Sequence, residues 1–256
     1  HLLYDKGINM RPKNFAVGVR IEHPRSMIDW NQYGEFSKVL GAASYKLTHT
    51  TSSGRGVYSF CMCPGGFVVN ASSEEGRLVV NGMSNYKRDE KNSNSALVVT
   101  VGPKDFGDNP MDGIEFQRKL EEKAYIAGKG FIPVQLYKDF CLGKVSTSFG
   151  EFSPNTKGNY NFSNLCDVLP EFVVSSLKEG IETFSKNIKG YNRDDAILLG
   201  VETRTSSPVV IERDLVGEAI HGLYPCGEGA GYAGGITTAA IDGVKTFENI
   251  IKKYHA

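Results

Sequence analysis

An excess of charge of either sign is missing from this sequence. Its 29 lysines and arginines are matched by 29 aspartates and glutamates. No net field therefore gathers nucleic acid or anionic lipid, and neither is expected as a partner. Long apolar runs are missing too, since none approaches the roughly 18 to 20 residues that a membrane-spanning helix needs. Cysteine is sparse. Cys61, Cys63, Cys141, Cys166 and Cys226 make an odd number at irregular spacing, which argues against a disulfide framework and for a reducing compartment, here the cytoplasm. Nothing reads as a signal peptide, an internal repeat or a low-complexity tract, and no metal site is expected.

What is present is ordinary globular composition, 40% hydrophobic and 23% charged over 256 residues, enough to bury a sizeable core. HLLYDKGINM reads as the end of a helix closed by Gly7. NFAVGVRIEH, residues 14–23, alternates and stops before Pro24, as a half-buried strand does. After a loosely helical SMIDWNQYGEFSKVLG come four short strands, VYSFCMC, GFVVNASS, RLVVNGMS and ALVVTVG, broken by turn residues. Their close spacing predicts an antiparallel meander or a small barrel. Amphipathic helices are expected over residues 112–128 and 169–188, the second with Pro170 in its first turn. AILLGVETR and SPVVIERD then read as two strands on either side of Ser206 and Ser207.

The closing stretch HGLYPCGEGAGYAGGITTAAIDG reads as a strand, a glycine-rich loop and a helix. GAGYAG, Gly229 to Gly234, formally matches G-x-G-x-x-G, in which glycines let a phosphate approach the backbone and helix N–H groups favour negative charge. The match alone is weak. A full dinucleotide fingerprint needs a second strand with an acidic residue about 20 positions on, whereas the residues after Gly234 read as one helix. The stretch is therefore not the opening βαβ unit of a dinucleotide-binding domain.

It resembles instead the C-terminal flavin-binding motif of FAD-dependent dehydrogenases with two dinucleotide-binding domains. With ETRTSSPVVIERD, KNFAVGVRIEHP, CMCPGG and VVNGMS, the chain is similar to an uncharacterised branch of FAD- or NAD(FAD)-utilising dehydrogenases. The resemblance implies a mixed α+β and α/β fold. Residues 1–10 would be the tail of a first FAD-domain segment, 11–193 an inserted β-rich cap that faces a small-molecule substrate, and 194–256 the return of a doubly wound FAD domain. It implies that Gly227, Glu228, Gly229, Ala230, Gly231, Gly234 and Gly235 lie against FAD, with Glu228 on its polar chain. Arg204, Thr205 and Ser206 form a polar run between two strands that, if those strands are adjacent, faces the flavin edge, with a solvated hairpin as the alternative. FAD is expected in the full-length protein, with NAD(P)H as a candidate reductant. This chain, a C-terminal portion without the first nucleotide-binding unit, is expected to hold no stable flavin, to be inactive, and to self-associate through the surface the missing domain leaves.

Other chemistry-bearing residues have blander readings. Cys61 and Cys63, two apart on a strand, would share a face, but redox pairs usually read C-x-x-C and buried free cysteine is the commoner fate. Cys226 reads as a packed strand end. Arg20 and Glu22 share a face and read as a polar core pair, with a substrate cavity as the alternative. His23 and His221 can titrate near neutrality, yet a lone histidine is more often structural. Arg88 and Asn92 to Ser95 mark a polar hairpin end that could reach a flavin. Two rival functions remain: a non-catalytic binding module whose glycine loop is a turn or anion nest, and an enzyme holding another nucleotide through GAGYAG.

Overall fold

The computed structural model describes residues 1–254, so the last two residues of the 194–256 segment lie outside it. In chain order the strands are β1 (Met10–Pro12), β2 (Phe15–Pro24), β3 (Thr48–Thr50), β4 (Gly56–Cys63), β5 (Gly66–Asn70), β6 (Val80–Ser84), β7 (Asn92–Val101), β8 (Ile132–Leu136), β9 (Thr156–Lys157), β10 (Tyr160–Phe162), β11 (Ile197–Glu202) and β12 (Val209–Ile211). The helices are α1 (Leu2–Asp5), α2 (Arg25–Tyr33), α3 (Pro103–Phe106), α4 (Asp112–Ala127), α5 (Tyr137–Leu142), α6 (Glu171–Phe184) and α7 (Ile236–Tyr254), with a 3₁₀ turn over Gly34–Lys38. Two compact units share them. A sheet unit holds residues 17–100 and 118–203, and a terminal unit holds 1–16, 101–117 and 204–256.

The sheet unit is built on a mixed seven-stranded sheet in the order β10-β8-β11-β2-β7-β4-β3, accompanied by a three-stranded sheet, β6-β5-β9. β2 runs near its middle and is buried from Phe15 to His23, so both of its faces are covered. Gly18 permits this closeness, because a Cβ there would stand 2.1 Å from the Leu97 carbonyl oxygen. The face carrying Arg20 and Glu22 meets the small sheet: a Cβ on Gly82 of β6 would lie 2.2 Å from Arg20 Nη1. On the alternate face His23 packs at 4.6 Å on the Tyr191 ring, which in turn touches Phe184 of α6. α6 buries Val173, Val174, Leu177, Ile181 and Phe184 at helical spacing. Gly180 lets it press onto β4, where a Cβ would meet Val57 Cγ1 at 2.6 Å.

The four closely spaced strands exist, but they form neither a barrel nor a continuous meander. β5 and β6 make a hairpin of their own, and β4 pairs antiparallel with β7 beyond it. The expected pair around Ser206 and Ser207 also separates. β11 pairs antiparallel with both β2 and β8, whereas β12 pairs with β1.

The terminal unit contains the short β1–β12 ladder, an aromatic cluster of Phe15, Phe106 and Phe116 with centroids 5.4 to 6.3 Å apart, and α7. Gly113 admits the Pro208 ring beside Phe15, since a Cβ would lie 2.8 Å from it. The expected strand directly before the glycine loop does not form. Residues 221–226 carry only the isolated bridge of Leu223 to Ile220, because Gly222 and Pro225 break up a run too short to pair. No helix among the described residues is long and apolar enough to cross a membrane.

Candidate functional site

The glycine loop is docked on β12 and tied to α7. Gly231 takes a left-handed φ of +90° directly over β12, where a Cβ would stand 2.5 Å from the Val209 carbonyl oxygen, so this position requires glycine. The Ile211 N–H donates to the Ala230 carbonyl at 3.1 Å, and Tyr232 Oη donates to the Ile211 carbonyl at 2.9 Å. Gly227, with φ +73°, donates its N–H to Asp242 of α7 at 2.8 Å. Asp242 is held in turn by Arg213 at 2.7 and 3.1 Å, and the Arg213 guanidinium lies 3.6 Å over the Tyr232 ring. Hydrogen bonding from Arg213 keeps the Asp242 carboxyl below its usual range, burial notwithstanding.

Two of the loop glycines are not explained by this docking. Neither Gly229 nor Gly234 has positive φ, and a Cβ on either would meet no atom within 4 Å. Both are exposed, as are Glu228 and the first residues of α7, Ile236 to Thr238. The N–H groups of that first turn have no intrahelical acceptor. Open space over small residues, beside free N–H donors at a helix start, fits a phosphate-bearing group such as the pyrophosphate of FAD. Lys13 adds a cation. Its pKa is lowered by burial, with the Glu228 carboxylate acting in the opposite sense. Sequence reasoning missed Lys13, which lies far from the loop along the chain and carries no motif.

Arg204 is exposed, and Ser206 is half-buried. Thr205 is buried, and its hydroxyl is engaged by Ala16, accepting from the N–H at 3.2 Å and donating to the carbonyl at 2.9 Å. His221 is exposed near Glu218, and Cys226 is exposed rather than packed.

In the sheet unit, Arg20 forms a buried knot. Its Nε and Nη2 fork onto Glu202 at 2.8 and 3.2 Å. Nη1 reaches the Cys61 carbonyl and Asn94 Oδ1, each at 2.9 Å, and Nη2 reaches Asn81 Oδ1 at 2.8 Å. Burial opposes the charge, but Glu202 outweighs it and Arg20 stays protonated. All its donors are used within the fold, which assigns it to structure. Glu22 is also fully buried, yet only neutral donors reach it: the Asn155 N–H at 3.1 Å and Asn92 Nδ2 at 3.4 Å. Burial raises its carboxyl to about 8. Burial lowers His23 to about 4, and its Nε2 contacts the Tyr191 carbonyl at 2.7 Å.

Cys61 and Cys63 do not share a face. The β4–β7 register shifts between Phe60 and Cys63, and Cys61 takes φ +43° at this bulge. Cys61 is exposed and Cys63 buried, both free. Burial raises the Cys63 pKa, which keeps it a thiol. Ser93 Oγ accepts the Gly65 N–H, Ser95 Oγ pairs with Tyr45, and Asn92 to Ser95 are all buried in the sheet interior. Among the described residues no group of His, Cys, Asp and Glu could hold a metal ion.

Comparison with known proteins shows the family of this chain. A protein of Clostridium beijerinckii described as "Uncharacterized protein" is 55% identical over 261 residues, covering 99% of this chain and 49% of the relative. The chain thus spans about half the length of the curated relative it matches. The family model described as "FAD-dependent protein, C-terminal domain-like" matches residues 14–205, which enclose the whole sheet unit. With most of its length inside that match, the chain belongs to the FAD-dependent protein, C-terminal domain-like family.

Proposed function

We propose that this chain is the C-terminal half of an FAD-dependent oxidoreductase. On this reading Gly227 to Gly231, Gly234, Gly235 and the first turn of α7 hold part of FAD within the closing segment of a doubly wound domain. Glu228 and Arg204 are the polar contacts, Lys13 supplies positive charge near the phosphates, and the sheet unit, residues 17–100 and 118–203, forms the cap that selects a small-molecule substrate. The observation that carries the reading is the open space over Gly229 and Gly234 beside a bare helix start, in a chain whose family is FAD-dependent. FAD, when bound, supplies the hydride or electron chemistry, with NAD(P)H as the reductant proposed. The residues of this chain bind, orient and screen the group from water. Five cysteines at irregular spacing fit a reducing cytoplasm.

The test is a visible absorption spectrum of this chain and of the full-length protein after incubation with FAD. The expected result is a flavin band in the full-length protein and none in this chain, where most charge-assisted contacts, worth about 1.5 to 3 kcal/mol each, are missing. Gly229→Val in the full-length protein is expected to fold normally and lose the band, because the new side chain fills the open space without strain. A full-length protein that never takes up FAD refutes the reading and favours a non-catalytic binding module, and a Gly229→Val variant that keeps the band refutes the site.

A further inference from the structure

A cavity of about 440 Å³ in the sheet unit is lined by Arg25, Lys38, Lys87 and Arg88, together with Ser26 and Trp30. In a chain with no net charge, this is a local concentration of positive charge. The one carboxylate in its wall, Asp29, is already used: it accepts the Ala43 N–H at 2.8 Å and lies 3.4 Å from Arg25 Nε. Lys38, Lys87 and Arg88 have no carboxylate within ion-pair distance among the described residues. Three uncompensated cations around one hollow repel one another, and an anion between them relieves that repulsion.

The turn that carries Lys87 and Arg88 is held in place at some cost. Arg88 sits at φ +52°, a region unfavourable for a residue with a side chain. It is fixed there by its N–H donating to the Asn85 carbonyl at 3.0 Å and by Arg25 Nη1 donating to its own carbonyl at 3.2 Å. Gly65 makes room, since a Cβ there would lie 1.9 Å from the Arg88 oxygen. Two further features face the same hollow. Ser26 belongs to the first turn of α2, whose N–H groups favour negative charge. Trp30 is 60% exposed, a large indole left to water. Trp30 also lines a second cavity of about 930 Å³, where Met27 and Phe152 stand beside the charged Glu151, Lys189 and Arg193.

The geometry points to a binding site for a soluble organic phosphate: the phosphate among Lys38, Lys87 and Arg88, and a planar apolar body on the Trp30 indole. The three cations suit a phosphate dianion, as a point-charge and forked-donor mixture does. The exposed indole, with Met27 and Phe152 in the neighbouring cavity, suits an aromatic substituent. This site goes beyond the flavin reading and does not depend on it, and its test uses no FAD.

Trp30 is the only tryptophan of the chain, so its fluorescence reports on this hollow and the cavity beside it, and the lysine variants separate the two. The chain is titrated with phenyl phosphate, with inorganic phosphate, with phenol, and with phosphatidylcholine vesicles containing phosphatidic acid. Phenyl phosphate is expected to quench Trp30 saturably, and to bind at least about tenfold more tightly than phenol or inorganic phosphate alone, because charge and stacking act together. Raising salt from about 0.05 to 0.5 M is expected to weaken it several-fold. Lys38→Ala and Lys87→Ala are each expected to weaken it by about twofold to fivefold, with thermal midpoints unchanged because both side chains are exposed. Lys38→Glu with Lys87→Glu is expected to abolish it. No saturable response, equal affinity for phenol and phenyl phosphate, binding that survives the double charge reversal, or response to vesicles alone each overturns the assignment.

Discussion

Glu22 should make the fold lose stability as the solution becomes more alkaline. Its carboxyl is fully buried with only amide donors around it, and burial raises its pKa from 4.5 to about 8. Between those values the unfolded chain is ionised at this position while the native chain keeps the proton. The native state then binds more protons than the unfolded one, and stability falls with rising pH by about 1.4 kcal/mol per unit. The contribution is full below about 4.5 and lost above about 8. His23 acts in the opposite sense over a lower range. Burial lowers it from 6.5 to about 4, so its contribution is present above 6.5 and lost as pH falls toward 4. The clean window for Glu22 is therefore pH 6.5 to 8, where the loss amounts to roughly 2 kcal/mol. Glu22→Gln removes the ionisation and keeps the shape. Its amide places one N–H against the donors of Asn92 and Asn155, an offset that is independent of pH. Urea denaturation at pH 6.5, 7, 7.5 and 8, followed by far-ultraviolet circular dichroism, compares the two proteins. The stability of the variant relative to wild type is expected to rise by about 2 kcal/mol across this window. Parallel curves for the two proteins would refute the buried titration.

His23→Gln is expected to remove part of the acid sensitivity between pH 6.5 and 4, up to about 3 kcal/mol; an unchanged slope in the same denaturation series would show that His23 is not buried neutral. Arg20→Met strands the Glu202 carboxylate and is expected to cost about 3 to 5 kcal/mol, while Arg20→Met with Glu202→Leu recovers most of it. Failure of the double variant to recover would place the role of Arg20 in its bonds to Asn81 and Asn94 instead. Gly180→Ala pushes a methyl group to 2.6 Å from Val57 and is expected to cost about 1 to 3 kcal/mol. Adding Val57→Ala should relieve part of that loss, and thermal denaturation of the pair checks it.

Elements with a strong period could be read from the chain alone. The strand β2 and the buried stripe of α6 follow from their spacing of apolar residues, although β2 is buried on both faces rather than half-buried and Pro170 caps α6 from just outside its first turn. The glycine loop and α7 were legible because glycine density and an amphipathic run are local properties. The pairing of strands was not. β4 reaches past the β5–β6 hairpin to β7, and β11 lies between β2 and β8; both contacts join residues far apart in the chain, and local composition carries no information about them. The bulge that turns Cys61 outward and Cys63 inward is likewise set by the partner strand.

The candidate sites divide in the same way. Sequence by itself determined that a glycine-rich turn precedes a helix near residue 235, since backbone freedom and helix periodicity are written in neighbouring residues. Only the tertiary structure decided which glycines serve packing and which face open space, and that Lys13 stands by the loop. It also decided that Arg20 is spent inside the fold while Lys38, Lys87 and Arg88 are left without counter-charges. Burial, close approach and charge balance depend on which distant segments come together, and a one-dimensional pattern does not specify that.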